Sequence, residues 1–143
     1  MLISTKGRYA LRVLTDMAEH QADTFVPLKE VAARQEISEK YLESIVKLLV
    51  KEGILSGTRG KGGGYRLKMA PDQINVARVL NITEGSLAPV ACLENDPPTC
   101  ERMSFCRTLE MWKGLDEVIN NYLVNYTIAD LMRKDAPGDD YII

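Results

Sequence analysis

The chain has 143 residues, a net charge of −2 and 45% apolar residues, the balance of one globular domain with at most a small appended arm. It holds no apolar run of the roughly 20 residues that a bilayer span needs, and Met1-Leu2-Ile3-Ser4-Thr5-Lys6-Gly7-Arg8 lacks the apolar core of a secretory signal. A cytoplasmic protein with no membrane partner is expected.

Ser4 or Thr5 caps a first helix running to about His20, with Ala10, Leu11, Leu14, Met17 and Ala18 at the three- and four-residue steps of one face. Residues 21–24 break it. Pro27 suits the first turn of a short second helix, to about Gln35, that buries Leu28, Val31 and Ala32. Ser38 then acts as an N-cap, and Glu39 adds first-turn negative charge. The third helix, from Glu39 to about Glu52, is expected to bury Leu42, Ile45, Leu48 and Leu49, with Gly53 ending it in left-handed backbone.

Residues 54–58 and 65–68 are extended runs around Arg59-Gly60-Lys61-Gly62-Gly63-Gly64, which reads as a hairpin. Asn75 caps a fourth helix to about Glu84, with Val76, Val79 and Leu80 inward. Residues 85–106, with Pro89, Pro97 and Pro98, read as a loop long enough to need a functional reason. The long helix over about 108–126 carries Leu109, Trp112, Leu115, Ile119, Tyr122, Leu123 and Tyr126, a narrow apolar seam suited to another helix. Thr127 caps a last helix to about Arg133.

The fold class that follows is mainly α with a small β-hairpin. A winged helix-turn-helix fills residues 1–84 and a cysteine loop residues 85–107. A dimerisation helix with a short final helix spans 108–134, and a flexible tail 135–143.

Net acidity hides an asymmetry. Residues 1–70 hold 12 Lys and Arg against 8 Asp and Glu, whereas residues 71–143 hold 6 against 12. No acid lies between Glu52 and Asp72, where Arg59, Lys61, Arg66 and Lys68 stand. Such a basic stripe is what phosphate contact requires. The third helix is the candidate for the major groove, about 12 Å wide. Its exposed face offers Ser38, Lys40, Tyr41, Glu43 and Ser44, then Lys47: hydroxyls for bases or phosphates, ammonium groups for phosphates. Glu43 selects rather than attracts, because a carboxylate facing DNA is repelled unless it accepts from a cytosine amino group. At the hairpin tip Arg59 can enter a narrow A·T minor groove, with Lys61 beside it. A nucleotide-binding loop would need Lys followed by Ser or Thr opening a helix, whereas Gly64 leads into the strand Tyr65-Arg66-Leu67. With a single histidine and no paired-carboxylate pattern, enzymatic acid–base chemistry is not expected.

Three cysteines, Cys92, Cys100 and Cys106, fall in one loop with the spacing C-x7-C-x5-C. In a cytosolic setting clustered thiols point to metal or redox chemistry rather than to disulfides. Thiolates bind iron–sulfur centres, and three sulfurs leave one position for a weaker, more labile ligand. Metal-free thiols or a reversible disulfide are the plainer alternatives. An iron–sulfur carrier or electron-transfer module is another, but it leaves the basic hairpin unexplained.

Ser4-Thr5-Lys6-Gly7-Arg8-Tyr9-Ala10, Ile37-Ser38-Glu39-Lys40-Tyr41-Leu42-Glu43 and Arg59-Gly60-Lys61-Gly62-Gly63-Gly64-Tyr65 together resemble the Rrf-type winged-helix transcription regulators, most of all their iron–sulfur cluster regulators. The likeness runs from residue 2 to about 133. It implies a homodimer crossing through the long C-terminal helix and bound to an imperfect palindromic operator in double-stranded DNA. It also implies a [2Fe-2S] cofactor, where the cysteine spacing alone admits [4Fe-4S] as well, control of iron–sulfur cluster assembly genes, and iron–sulfur assembly proteins as partners. By resemblance, Ser38, Tyr41, Glu43 and Ser44 are the recognition-helix contacts, Arg59 is the wing contact, and Cys92, Cys100 and Cys106 are the ligands. The family's matching glutamate helps the apo and loaded forms prefer different operators.

Three departures stand out. The first cysteine gap is two residues longer than the family's. The family's histidine ligand falls on Leu109, which cannot ligate. The partner-chain acid of nitric-oxide-sensing relatives falls on Arg8. His20 reads as a surface or capping residue. Candidate fourth ligands are Glu94, Asp96, Glu101 and Glu110, with Glu110 preferred, or an external thiol. Within the family, a repressor of cysteine metabolism is the alternative, or a redox or nitric-oxide stress sensor acting through thiols or a partner.

Overall fold

Ser4 opens the first helix: its Oγ accepts from the amide of Gly7 at 3.1 Å, satisfying one of the donors a helix start leaves orphaned. Helix α1 spans Thr5–His20 and buries Ala10, Val13, Leu14 and Met17, with Leu11 and Ala18 packed partly buried beside them. The structure is a computed structural model that describes residues 2–20, 24–95 and 100–133. Of the break expected over 21–24, residues 21–23 lie outside those described, as does the tail at 135–143.

Helix α2 spans Leu28–Gln35, with Pro27 at its N-cap. Glu36 takes left-handed backbone at φ 55°, and its amide closes back on the carbonyl of Ala32. Helix α3, Glu39–Lys51, follows at once, capped by Ser38, whose side chain accepts from the amide of Tyr41 at 3.2 Å. Its buried stripe is Leu42, Ile45, Val46 and Leu49. Val46 thus stands where the sequence pattern placed Leu48, which is half-buried. At 3.6 residues per turn Leu48 lies roughly 110° from the centre of that stripe and Val46 only roughly 50°.

Gly53, at φ 79°, turns the chain out of α3 into β1 (Leu55–Thr58), which pairs antiparallel with β2 (Gly64–Leu67). Leu55 faces Leu67, and Thr58 faces Gly64. The hairpin gains a third, one-residue strand that the sequence did not announce. Val26 exchanges both backbone bonds with Tyr65, at 2.8 and 2.9 Å. Gly64 makes this approach feasible: at φ 150° a Cβ there would lie 2.2 Å from the carbonyl oxygen of Val26.

Helix α4, Val76–Glu84, is capped by Asn75 and buries Val76, Ala77, Val79 and Leu80. Glu84 accepts from the Ser4 hydroxyl at 2.6 Å, tying the end of α4 to the start of α1. After the loop come α5 (Leu109–Val124) and α6 (Ile128–Leu131). Their joint is stitched to the core. Thr127 and Asp130 form a capping box, Ile128 is fully buried, its amide donates to Ile74 O at 2.9 Å, and Val76 N donates to Tyr126 O at 2.9 Å.

The seam expected along α5 splits in two. Leu109 is buried, and Trp112, Ile119 and Leu123 are half-buried, with Leu123 packed against Val76, Leu80 and Leu87. One residue round the helix, Met111, Leu115, Val118 and Tyr122 are 57%, 42%, 65% and 61% exposed. A second apolar stripe therefore faces outward. No helix among the described residues is long and apolar enough to cross a membrane.

Candidate nucleic-acid interface and thiol loop

Helices α2 and α3 and the tight turn at Glu36 form the helix-turn-helix, and the apolar stripe of α3 fixes which side of it faces out. Ser38, Lys40, Tyr41, Glu43, Ser44 and Lys47 are all exposed, as the sequence predicted. Ser44 donates to the Tyr41 carbonyl at 2.7 Å. No ion pair among the described residues engages Lys40, Glu43 or Lys47, so these charges stay free for an outside partner. Arg59 and Lys61 are exposed in the turn joining β1 to β2, also without ion-pair partners among the described residues. Arg66 is used differently, its guanidinium stacking over Phe25 at 4.7 Å. An inward-packed polar face on α3, or a pinned Arg59, would have ended the DNA-binding reading; neither occurs.

Behind this surface lies a set of residues that the sequence reading did not single out. The ring of Tyr41 meets that of Tyr9 edge-on at 5.7 Å and 88°. Arg12 lies over the Tyr9 ring, 5.0 Å from its centroid. Its Nε donates to Gln35 Oε1 at 3.1 Å, and its Nη2 donates to the Gln35 carbonyl. Gln35 in turn donates to Asp16 at 2.9 Å. Asp16 is 1% exposed, the only buried charged residue among those described, and Arg34 reaches both its oxygens, the shortest contact being 2.7 Å. Burial pushes the Asp16 carboxyl up, but the hydrogen bonds from Arg34 and Gln35 and the positive charge of Arg34 more than reverse this and hold it below the usual carboxylate range. His20 sits at the rim, with Nδ1 2.8 Å from the Asp16 carbonyl. A charge at the middle of an amphipathic helix reads as solvent-facing. Only the cation at position 34, a residue of another helix, reveals Asp16 as a buried tie.

The three thiols are free. Cys92 is half-buried in a single turn at Ala91–Leu93, Cys100 is exposed, and Cys106 is half-buried just before α5. The Thr108 side chain lies 3.5 Å from Cys106 Sγ. Hydrogen bonds from its hydroxyl and from the backbone hold that thiol below its ordinary range, and the charge of Arg102 adds to the effect. As a donor set, three unbridged thiols suit an iron–sulfur centre. Among the described residues, however, no three Cys, His, Asp or Glu side chains converge. Glu94, Glu101 and Glu110 are exposed. Glu110 faces Lys113 at 3.8 Å, and Asp96 lies outside the described residues. Leu109, on the family's histidine position, is a core residue at 7% exposure.

The Rrf2 family model, described as an iron-dependent transcriptional regulator, matches residues 3–134. Protein rrf2 of Nitratidesulfovibrio vulgaris is 39% identical over 133 residues, covering 93% of this chain and 88% of that protein. The HTH-type transcriptional regulator IscR of Aliivibrio salmonicida is 35% identical, covering 92% and 77%. Among solved structures, CymR, the global cysteine regulator of B. subtilis, superposes with a TM-score of 0.75 at 32% identity, covering 92% of this chain and 95% of that one. IscR of T. potens gives 0.71 at 31% identity, covering 92% and 85%. The proteins it resembles are transcriptional regulators rather than enzymes.

Proposed function

The chain belongs to the Rrf2 family of transcriptional regulators, and from that premise we propose that it is a homodimeric, sequence-specific DNA-binding regulator that senses iron–sulfur cluster status and controls cluster assembly genes in the cytoplasm. The observation that carries this reading is the coincidence of three free thiols in one loop with an exposed reading helix and a free wing arginine. Likeness to IscR proteins supports it.

Residues 1–84 read DNA, 85–107 hold the cluster and 108–134 pair the protomers. Lys40 and Lys47 neutralise phosphates, Ser38, Tyr41, Glu43 and Ser44 meet base edges or backbone, and Arg59 with Lys61 takes the flanking minor groove of a palindrome. Met111, Leu115, Val118 and Tyr122, spaced four, three and four apart, form the stripe that a second copy covers. Cys92, Cys100 and Cys106 are the three thiolate ligands, and the depressed thiol of Cys106 favours the ligating form. Glu110 is the preferred fourth ligand, once its side chain leaves Lys113. A [2Fe-2S] cluster would supply a labile iron centre whose presence reports cluster supply, and iron–sulfur assembly proteins would deliver it.

The second reading is a repressor of cysteine metabolism, favoured by the superposition on CymR at 32% identity. Anaerobic reconstitution with ferrous iron and sulfide separates the two. The cluster reading expects visible absorption and about two irons per chain, both lost in a Cys92→Ala, Cys100→Ala, Cys106→Ala variant. Colourless protein overturns it in favour of the cysteine-regulator reading. Selection of binding sites from random duplex DNA, with apo and loaded protein side by side, then tests the operator claim.

A further inference from the structure

Tyr41 is the one large aromatic side chain on the reading face of α3, and at 37% exposure it stands half out of the protein. A ring so placed has several rotamers open to it, and selecting one on contact with a duplex costs affinity. Here the ring is not free. Tyr9 of α1 packs against it in an edge-to-face pair, and Arg12 lies over the Tyr9 ring. Arg12 is itself fixed, since both its hydrogen bonds fall on Gln35, the last residue of α2, and Gln35 is anchored to the buried Asp16–Arg34 pair. Gln35 lies three residues before the Ser38 cap. One clamp therefore sets both the turn between α2 and α3 and the ring at the head of α3.

We propose that Tyr9, locked by Arg12, is a positioning residue for sequence reading: it holds Tyr41 in its DNA-contacting orientation before the duplex arrives. The inference rests on the reading of α3 as the groove helix and adds two residues of α1 to the specificity apparatus. Tyr9 acts through its ring and Arg12 through its two-point grip on Gln35. The Tyr9 hydroxyl and the charge of Arg12 are not needed for this role.

The test uses the full chain, a duplex chosen by it from random-sequence DNA, and an unselected duplex of equal length. Tyr9→Leu removes the ring edge; Arg12→Lys keeps the charge but loses the bidentate grip. Each is expected to bind the selected duplex about five- to tenfold more weakly, the scale of one immobilised side chain, with unselected binding and its salt slope unchanged. Tyr9→Phe keeps the ring and is expected to bind both duplexes as the parent does. Thermal unfolding checks each variant, and Arg12→Lys carries the test alone if Tyr9→Leu does not fold.

Parent-like selectivity in the folded variants overturns the brace while leaving α3 as the reader. Equal losses on both duplexes, or a loss in Tyr9→Phe, also overturn it, assigning Tyr9 a direct backbone contact instead. Failure of the parent to select any sequence defeats the reading beneath the brace, a result distinguishable from all of these.

Discussion

Helices α3 and α5 are both amphipathic, yet they end in opposite conditions. In α3 the apolar stripe Leu42, Ile45, Val46, Leu49 is wholly buried within the chain, and the cap at Ser38 is made. In α5 one stripe is partly spent on the domain through Leu109 and Leu123, while the other, Met111 to Tyr122, lies open. A single chain thus covers the apolar stripe of α3 and leaves one apolar face of α5 uncovered. Exposed apolar area of this continuity is unusual on a finished monomer surface. On the proposed reading, recognition is complete in one chain and assembly awaits a second copy.

The sharpest way to break that contrast is to charge the open stripe. Leu115→Glu with Val118→Glu is expected to give a monomer by sedimentation and to weaken binding to a palindrome on the order of a hundredfold or more, because two linked half-sites become independent. A variant that keeps the mass of a dimer would place the pairing face elsewhere.

Next in size is Asp16. Its folded carboxyl titrates below its unfolded value, so the folded state binds fewer protons and gains stability from this group above about pH 4. That gain is lost as the pH falls through the unfolded value toward the folded one. Asp16→Asn leaves Arg34 without its counter-charge. It is expected to cost about 2–3 kcal/mol in urea unfolding at pH 7, below the full buried-pair figure because Arg34 is part-solvated. It should also flatten the acid limb of the stability curve below about pH 4. An unchanged acid limb would assign the acid dependence to another carboxylate.

Smaller effects test the reading helix and the wing. Glu43→Ala is expected to relax preference at one base pair by about tenfold and to strengthen binding to some duplexes, measured by site selection. The same preferred sequence and affinity would remove its discriminating role. Arg59→Ala should lose most at sites with narrow A·T minor grooves, and a uniform loss across sequences would reduce it to a plain phosphate contact. Ser38→Ala, which deletes only the cap, should cost about 1 kcal/mol of stability, read from the shift of the denaturation midpoint.

The sequence made α3 legible because Ser38 and Gly53 bracket it and its charges fall outside a three-four apolar pattern. Leu48 misled because residue type outweighed phase: a leucine beside a valine looks like the better core residue until the turn angle is followed. Val26 carried no strand pattern, since one bridging residue has no period to show. The two stripes of α5 could not be separated beforehand, because stripes offset by one residue blend into a single seam when only spacing is read. Tyr9, Arg12 and Gln35 were invisible for a different reason. Their contacts join α1 to the turn, and nothing local to any of them signals the others.

The stitched joint at Thr127 and Ile128 has a mechanical corollary. With 16 residues rising 1.5 Å each, α5 extends roughly 24 Å from a joint bonded to Ile74 and Val76, and Cys106 lies just before its other end, where Leu109 is buried. A tilt of about 5° at that joint swings the thiol end by about 2 Å over this length. Such a swing would draw Leu109 out of its packing, so the buried leucine resists it and ties the thiol end of α5 to the domain. A rearrangement at Cys106 is therefore met first by the packing of Leu109, three residues on, before it can reach the joint at Thr127.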